Sequence, residues 1–118
     1  MPETLPLKRG DIYLANLDPV IGRETGKIRP VLVIQNDIGN WYAPTTIVAV
    51  ITEYSAKKAS YPVCVAIPQS QGMHKRSIVN LSQIRTIDKA RLSTERLTSL
   101  SSELMAEVDL ALRRSLDL

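Results

Sequence analysis

The sequence predicts an α+β protein: a small antiparallel sheet, curled or closed into a barrel, followed by one C-terminal helix. Three observations predict this fold. Short segments rich in β-branched residues recur along the chain, turn-forming residues separate them, and the apolar residues near the C-terminus change to a helical spacing. The 118 residues correspond to one domain, and 44% hydrophobic content is enough for a core without metals or disulfides.

Five strands are predicted, at residues 10–17, 30–36, 45–52, 61–67 and 76–88. The run from Val31 to Ile34 is continuously apolar, as in a buried strand, and the run from Thr45 to Thr52 is almost entirely β-branched. Turn-forming residues separate the strands at residues 36–40, 43–44, 53–60 and 68–72. Residues 1–8 are interpreted as a loose lead-in to a single domain spanning residues 1–118.

The last element is predicted to be an amphipathic helix, with an apolar stripe formed by Leu97, Leu100, Leu104, Val108 and Leu112. Ser99 or Ser101 is the candidate N-cap, and Glu103 suits the positive end of the helix dipole. The simplest role of this helix is to cover the open face of the sheet. A share in a dimer contact is compatible with that role.

Charge and cysteine content narrow the class of protein. The net charge of +3 and the pI near 9.2 are compatible with a phosphate-bearing partner but are weak evidence for one. Cys64 is the single cysteine, so no internal disulfide is possible, a cytoplasmic location is expected, and a buried structural thiol is favoured. One histidine and one cysteine exclude a conventional zinc site, and no apolar run is long enough to span a membrane.

The most informative segment is a charged loop with two glycines between the first two predicted strands. It carries Arg23, Glu24, Lys27 and Arg29. Arg29 lies at the start of the apolar second strand. A charged loop held by a rigid scaffold is a common position for functional side chains.

Three segments together resemble the MazF/PemK toxin family: Arg-Gly-Asp-Ile-Tyr at residues 9–13, Gly-x-Glu-x-Gly-x-x-Arg-Pro-Val-Leu-Val-Ile-Gln-Asn-Asp at 22–37, and residues 77–92. The resemblance runs from about residue 8 to the end of the chain. It implies a homodimeric SH3-like barrel that cuts single-stranded RNA at short sequences, without metal or other cofactor. The attacking group is the ribose 2′-hydroxyl, and the products carry 2′,3′-cyclic phosphate and 5′-hydroxyl ends. It also implies the toxin of a toxin–antitoxin pair, inhibited by a small antitoxin with an acidic tail.

The resemblance assigns the chemistry to two residues. Arg29 matches the family's catalytic arginine, and Thr52 matches its threonine at the end of the third strand. We expect Arg29 to stabilise the charge on the pentavalent phosphorane and to donate a proton, with Thr52 positioning the phosphate. Glu24 is the candidate general base because arginine stays protonated. Two alternatives to this assignment remain. In the first, Glu24 is a solvated loop carboxylate paired with Lys27 or Arg23. In the second, cleavage needs no dedicated base because alignment of the attacking oxygen suffices.

One branch of the family uses an arginine and an aspartate three residues and one residue before the conserved glutamine. Asn80 and Ser82 occupy those positions here, and neither can act as a charged acid or base. That mechanism does not transfer. The chain therefore resembles the branch that relies on the positions of Arg29 and Thr52.

RNA contacts are predicted for Gln83, Lys27, Lys75 and Arg76, since amides read base edges and cations bind phosphates. Each also has a structural interpretation as an exposed strand or turn residue. Trp41 and Tyr42 could stack an unpaired base or pack at a dimer contact.

Other charged residues are given structural interpretations. Arg9, Asp11, Arg85 and Asp88 are predicted to form internal ion pairs or turn caps. His74, in a turn between strands, receives no catalytic role from the resemblance and is interpreted as a solvated side chain.

Two functions compete with the ribonuclease. A sister group of toxins on the same fold inhibits DNA gyrase by binding, but it lacks the arginine and threonine found here at positions 29 and 52. A plain SH3-like binding module is the third possibility.

Overall fold

The structure is a computed structural model of the chain and describes residues 7–118. Within this range the elements are β1 (Asp11–Asn16), β2 (Ile28–Val33), α1 (Asp37–Tyr42), β3 (Thr45–Glu53), α2 (Ala56–Ala59), β4 (Cys64–Ile67), β5 (Ser77–Asp88), β6 (Thr98–Ser99) and α3 (Ser102–Leu116). Single 3₁₀ turns lie at Gln69–Gln71 and Lys89–Arg91. None of the helices in residues 7–118 is long and apolar enough to cross a bilayer.

The strands form one antiparallel sheet in the order β4-β5-β3-β2-β1-β6. In the central pair Val31 of β2 lies opposite Val50 of β3, and on the other side of β3 Thr52 lies opposite Ile78. The register of β3 against β5 shifts between Ala49 and Val50. A shift of this kind bends a strand and increases its twist, which helps a sheet to curl. The predicted α+β fold, a curled antiparallel sheet with a C-terminal helix, is confirmed.

Both faces of the central strands are buried, because successive side chains alternate between two hydrophobic clusters. Ile12, Leu32 and Ala49 belong to the cluster that also contains Val108 of α3, so α3 covers this face of the sheet. The neighbouring side chains form the second cluster, which consists of Leu7, Tyr13, Ala15, Leu17, Val31, Val33, Val48, Val50, Ile87 and Leu92. Because both faces of β2 are buried from Val31 to Val33, its sequence there is continuously apolar.

Two predicted turns contain short helices. Asn36 accepts a hydrogen bond from the Gly39 amide and caps α1, and Ser55 accepts one from the Lys58 amide and caps α2. These caps satisfy backbone amides that a simple turn would expose to solvent. Strand β2 consequently ends at residue 33 rather than 36.

The C-terminal helix begins later than its apolar stripe suggested. Ser101 is the N-cap, and its hydroxyl accepts a hydrogen bond from the Leu104 amide at 3.2 Å. Leu97 and Leu100 therefore lie before α3, where the Leu97 amide donates to Ile12 and the Leu100 amide to Gly10. The helical spacing at these two positions was misleading because their backbone pairs with the sheet edge.

Residues 1–6 of the predicted N-terminal lead-in lie outside the described part of the chain. Leu7 is 5% exposed and packs in the second cluster, and the Lys8 amide donates to Asp11. Residues 7 and 8 are therefore in contact with the domain.

Candidate active site

Arg29 and Thr52 lie on neighbouring antiparallel strands and line one pocket. Arg29 belongs to the start of β2 and Thr52 to the end of β3. Val31 pairs with Val50, so Arg29 and Thr52, each two residues further along these antiparallel strands, lie opposite each other. The pocket has a volume of about 180 Å³ and is lined by Arg29, Pro30, Ile51, Thr52, Glu53, Met73, His74, Lys75 and Ser77.

The guanidinium of Arg29 is poorly satisfied within the described residues. The Arg29 side chain is half-buried, and its Nε is buried without a hydrogen-bond partner in residues 7–118. An unpaired buried donor costs free energy unless something binds to it. A guanidinium beside a small pocket, with a hydroxyl from Thr52 on the same wall, suits a phosphate oxygen.

Glu53 and Lys75 form an ion pair at this pocket. Both side chains are well exposed, at 71% and 62% respectively. The hydrogen bond from Lys75 lowers the pKa of Glu53, and the charges of Lys75 and Arg29 lower it further. The carboxylate of Glu53 therefore stays ionised at neutral pH and offsets part of the positive charge at the pocket.

His74 is exposed and lines the same pocket as Arg29 and Thr52. Its carbonyl accepts a hydrogen bond from the Gln69 side-chain amide at 3.0 Å. No pattern in the sequence groups His74 or Glu53 with Arg29. The only signal was that His74 is the single histidine, and a lone histidine in a turn is not specific enough to identify a site.

Glu24 and Gln83 line a different pocket, of about 340 Å³, with Arg23, Thr25, Ser82, Ile84 and Arg85. Glu24 accepts a hydrogen bond from the Ile21 amide at 2.8 Å, within its own loop. Gln83 accepts one from the Thr25 amide at 3.2 Å and ties the loop to β5. The structure does not bring Glu24 into the Arg29 pocket, so its role as a general base would require the loop to move.

The remaining RNA-binding candidates are spread over the surface. Lys75 lines the Arg29 pocket, whereas the exposed Arg76 places its guanidinium 3.6 Å from the centre of the Tyr54 ring, a cation–π contact. Lys27 is exposed, with a φ of 66°, and its backbone amide donates to Asp18 at 2.9 Å.

Three of the four charged residues given structural interpretations form ion pairs or turn caps, and the fourth, Arg85, does not. Arg9 donates to the Ile34 carbonyl and pairs with Asp109 at 2.8 Å. Asp11 is buried and accepts hydrogen bonds from the Lys8 amide and from Ser99, while Asp88 accepts one from the Ala90 amide and caps a 3₁₀ turn. Arg85 donates to the Leu17 carbonyl instead of forming an ion pair.

The remaining candidates divide between core and surface. Cys64 is buried in β4, and this burial raises the pKa of its thiol, as expected for a structural cysteine. Trp41 and Tyr42 of α1 are exposed, so both interpretations of them stay open.

Among residues 7–118, no three His, Cys, Asp or Glu side chains are grouped as metal ligands would be.

The fold and the pocket together define a small curled-sheet protein with a half-buried arginine in a pocket at the start of a core strand. The family model described as "PemK-like, MazF-like toxin of type II toxin-antitoxin system" matches residues 8–116. The chain is 53% identical over 113 residues to "Endoribonuclease EndoA" of Bacillus subtilis (strain 168), which covers 95% of this chain and 96% of that protein. The chain therefore belongs to the PemK-like, MazF-like toxin family.

Solved structures agree on the fold. The crystal structure of MazF from Deinococcus radiodurans has a TM-score of 0.81 at 24% identity and covers 95% of this chain and 97% of that one. An endoribonuclease in complex with its cognate antitoxin, from a mycobacterial species, has a TM-score of 0.78 at 22% identity and covers 95% and 96%. The curated relative is named an endoribonuclease. The gyrase-inhibitor alternative is therefore not favoured.

Proposed function

We propose that this chain is the toxin of a type II toxin–antitoxin system and that it cleaves single-stranded RNA at short specific sequences. The observation that carries the proposal is the buried Arg29 Nε, which has no hydrogen-bond partner among residues 7–118 and lies beside Thr52 in the same pocket. A pocket of about 180 Å³ has room for a group such as a phosphate. Family membership supports the same reaction class.

In the proposed reaction the ribose 2′-oxygen attacks the adjacent phosphorus. The 2′-oxygen–phosphorus bond forms and the bond from phosphorus to the 5′-oxygen breaks. The products are a 2′,3′-cyclic phosphate and a 5′-hydroxyl. Arg29 stabilises the extra charge on the pentavalent phosphorane and donates a proton to the leaving oxygen, and Thr52 holds a phosphate oxygen. No step of this reaction needs a metal ion.

The proposed RNA path crosses both pockets. Lys75 beside Arg29 attracts the phosphate backbone, and Gln83 in the second pocket reads a base or contacts the backbone. Lys27 and Arg76 add positive charge at the edges of this path. Sequence preference would then arise mainly at the second pocket, where amides and carboxylates are available for base contacts.

The proposed inhibitor is a small antitoxin whose acidic tail occupies the same groove and competes with RNA phosphates for Arg29. We further propose that the chain acts as a homodimer in the cytoplasm. The single cysteine is compatible with a reducing compartment.

The test is incubation with a long single-stranded RNA in excess EDTA, with product ends read by mass spectrometry. We expect discrete cuts with 2′,3′-cyclic phosphate ends, and we expect Arg29→Ala to form them about 100- to 1,000-fold more slowly. Intact RNA from a folded wild-type protein would refute the proposal, and loss of cutting only in EDTA would refute its metal-independent form.

A further inference from the structure

We propose that His74 is the general base of the RNA cleavage and takes the proton from the attacking 2′-hydroxyl. This inference rests on the proposed ribonuclease function and adds to it the identity of the base. It replaces Glu24 in that role, because Glu24 lines the other pocket and is hydrogen-bonded within its own loop.

The side chains lining the Arg29 pocket offer few proton acceptors. Arg29 stays protonated, and Lys75 is engaged in an ion pair with Glu53. That ion pair also disfavours Glu53 as a base, since its lowered pKa makes its carboxylate a weak proton acceptor. His74 supplies an imidazole, which accepts and donates protons near neutral pH.

His74 also lies where the attacking group should be. Besides the Arg29 pocket, it lines an adjoining pocket of about 400 Å³ whose other walls are Leu14, Pro30, Gly72, Met73 and Leu97. The scissile phosphate and the nucleotide that carries the attacking 2′-hydroxyl are covalently neighbouring. With the phosphate at Arg29 and that nucleotide against the apolar walls, the 2′-hydroxyl lies at the boundary between the pockets, which His74 lines.

The turn that carries His74 is held in place by several contacts. Gln69 donates to the His74 carbonyl at 3.0 Å, and Thr98 of β6 donates to the Gln71 carbonyl at 2.7 Å. Gly72 has a φ of 88°, and a Cβ there would lie 2.5 Å from the Thr98 hydroxyl. The backbone is thus fixed against β6, while the imidazole itself is exposed and accessible to substrate.

Charged groups on three segments surround His74. Arg29 faces the pocket from β2, and Lys75 and Arg76 follow His74 on its own turn. Glu53 faces the pocket from β3, and its carboxylate is paired with Lys75.

The protons in this step balance with water as the only further participant. The 2′-hydroxyl proton moves to the His74 imidazole as the oxygen–phosphorus bond forms. The leaving 5′-oxygen takes its bonding electron pair and receives a proton from Arg29. Water then removes the proton from His74 and returns one to Arg29.

The test measures single-turnover cleavage of a single-stranded RNA with enzyme in excess, for wild type, His74→Gln, His74→Ala, Glu53→Gln and the control Ser70→Ala. Ser70 is an exposed residue of the preceding 3₁₀ turn. Affinity is measured separately with the same RNA carrying 2′-O-methyl groups, which removes the attacking hydroxyl. Rates are recorded from pH 5 to 9 for each variant.

We expect His74→Gln to slow cleavage at least about 100-fold, the usual size of general base catalysis, with affinity unchanged within about twofold. The wild-type rate should fall on the acid side between about pH 5 and 8, where histidine changes charge, and this limb should be absent from His74→Gln. Added imidazole should partly restore His74→Ala. Ser70→Ala should behave as wild type.

Three outcomes would overturn the assignment. These are a His74→Gln rate near wild type, a loss confined to RNA affinity, and an acid limb that persists in His74→Gln. In that last case, loss of the acid limb of the pH–rate profile in Glu53→Gln would identify Glu53 as the general base. A wild-type protein that cuts no RNA under any condition would overturn the proposed function itself, and the wild-type samples show this before any variant is considered.

Discussion

Arg29 and Thr52 face the same pocket from adjacent antiparallel strands, and within the described part of the chain the Nε of Arg29 has no hydrogen-bond partner. The surrounding β-sheet explains this arrangement. Val31 and Val50, just inside the two residues, are buried and paired across the strands. The rigid core therefore holds a guanidinium and a hydroxyl side by side at its edge.

Arg29→Ala should reduce RNA cleavage about 100- to 1,000-fold, the usual cost of losing one donor to developing charge. The fold should persist, because the strand is anchored by Val31, Leu32 and Val33, which are buried. Cleavage of a defined RNA and thermal unfolding are measured side by side. Arg29→Lys is the matched control: it retains the charge but not the two-pronged geometry, so its activity should be intermediate. Full activity in a folded Arg29→Ala protein would contradict the site.

Thr52→Val should slow cleavage about tenfold to a hundredfold, because the variant keeps the shape of the side chain but removes the hydroxyl that holds a phosphate oxygen. Thr52→Ser retains the hydroxyl and should remain close to wild type. The single-turnover rate distinguishes the two. Equal loss in both variants would mean that Thr52 acts through its methyl group and strand packing instead.

Glu53→Gln should strengthen RNA binding about two- to fivefold, the size of one exposed charge interaction. The change removes a carboxylate from the phosphate pocket and releases Lys75 for the RNA backbone. Binding of 2′-O-methylated RNA is measured at two salt concentrations, and the gain should shrink at the higher one. Exposed Glu107→Gln on α3 serves as the control. Weaker binding by Glu53→Gln would show that the carboxylate contacts the RNA directly.

Asp37→Asn should lower the melting temperature at pH 7, and the difference from wild type should disappear in acid. The Arg9 amide donates to Asp37 at 2.7 Å, and this hydrogen bond lowers the pKa of the carboxyl group, with a smaller contribution from Asn40. A lowered pKa means that ionised Asp37 stabilises the fold above the ordinary aspartate pKa of about 3.9, and that this stabilisation is lost as the pH falls through the folded-state value.

Thermal unfolding of wild type and Asp37→Asn between pH 7 and pH 3 checks this expectation. The stabilisation is modest because the group is exposed to solvent. Glu107→Gln again provides the comparison, with a pH-independent melting difference expected. A difference between wild type and Asp37→Asn that stays constant down to pH 3 would contradict the assignment.

The sequence by itself determined the fold class and predicted Arg29 and Thr52 as the two principal site residues. The β-branched run from Thr45 to Thr52 predicts a central strand because its side chains fit a sheet buried on both faces. Arg29 and Thr52 were predicted from motifs that match a family in order and spacing. Ser101, one of two candidate caps, begins the last helix. Each of these features depends on neighbours in the chain, so it can be read locally.

The tertiary structure alone decided which side chains share a pocket. Glu24 lies close to Arg29 in sequence but lines another pocket, because its loop is tied to Gln83 on β5. His74 is distant in sequence yet reaches the Arg29 pocket through the turn before β5. Leu97 fits a helical spacing in the sequence, but in the fold its amide donates to the Ile12 carbonyl at the sheet edge. Strand register and loop packing are long-range properties, and no local pattern of residues encodes them.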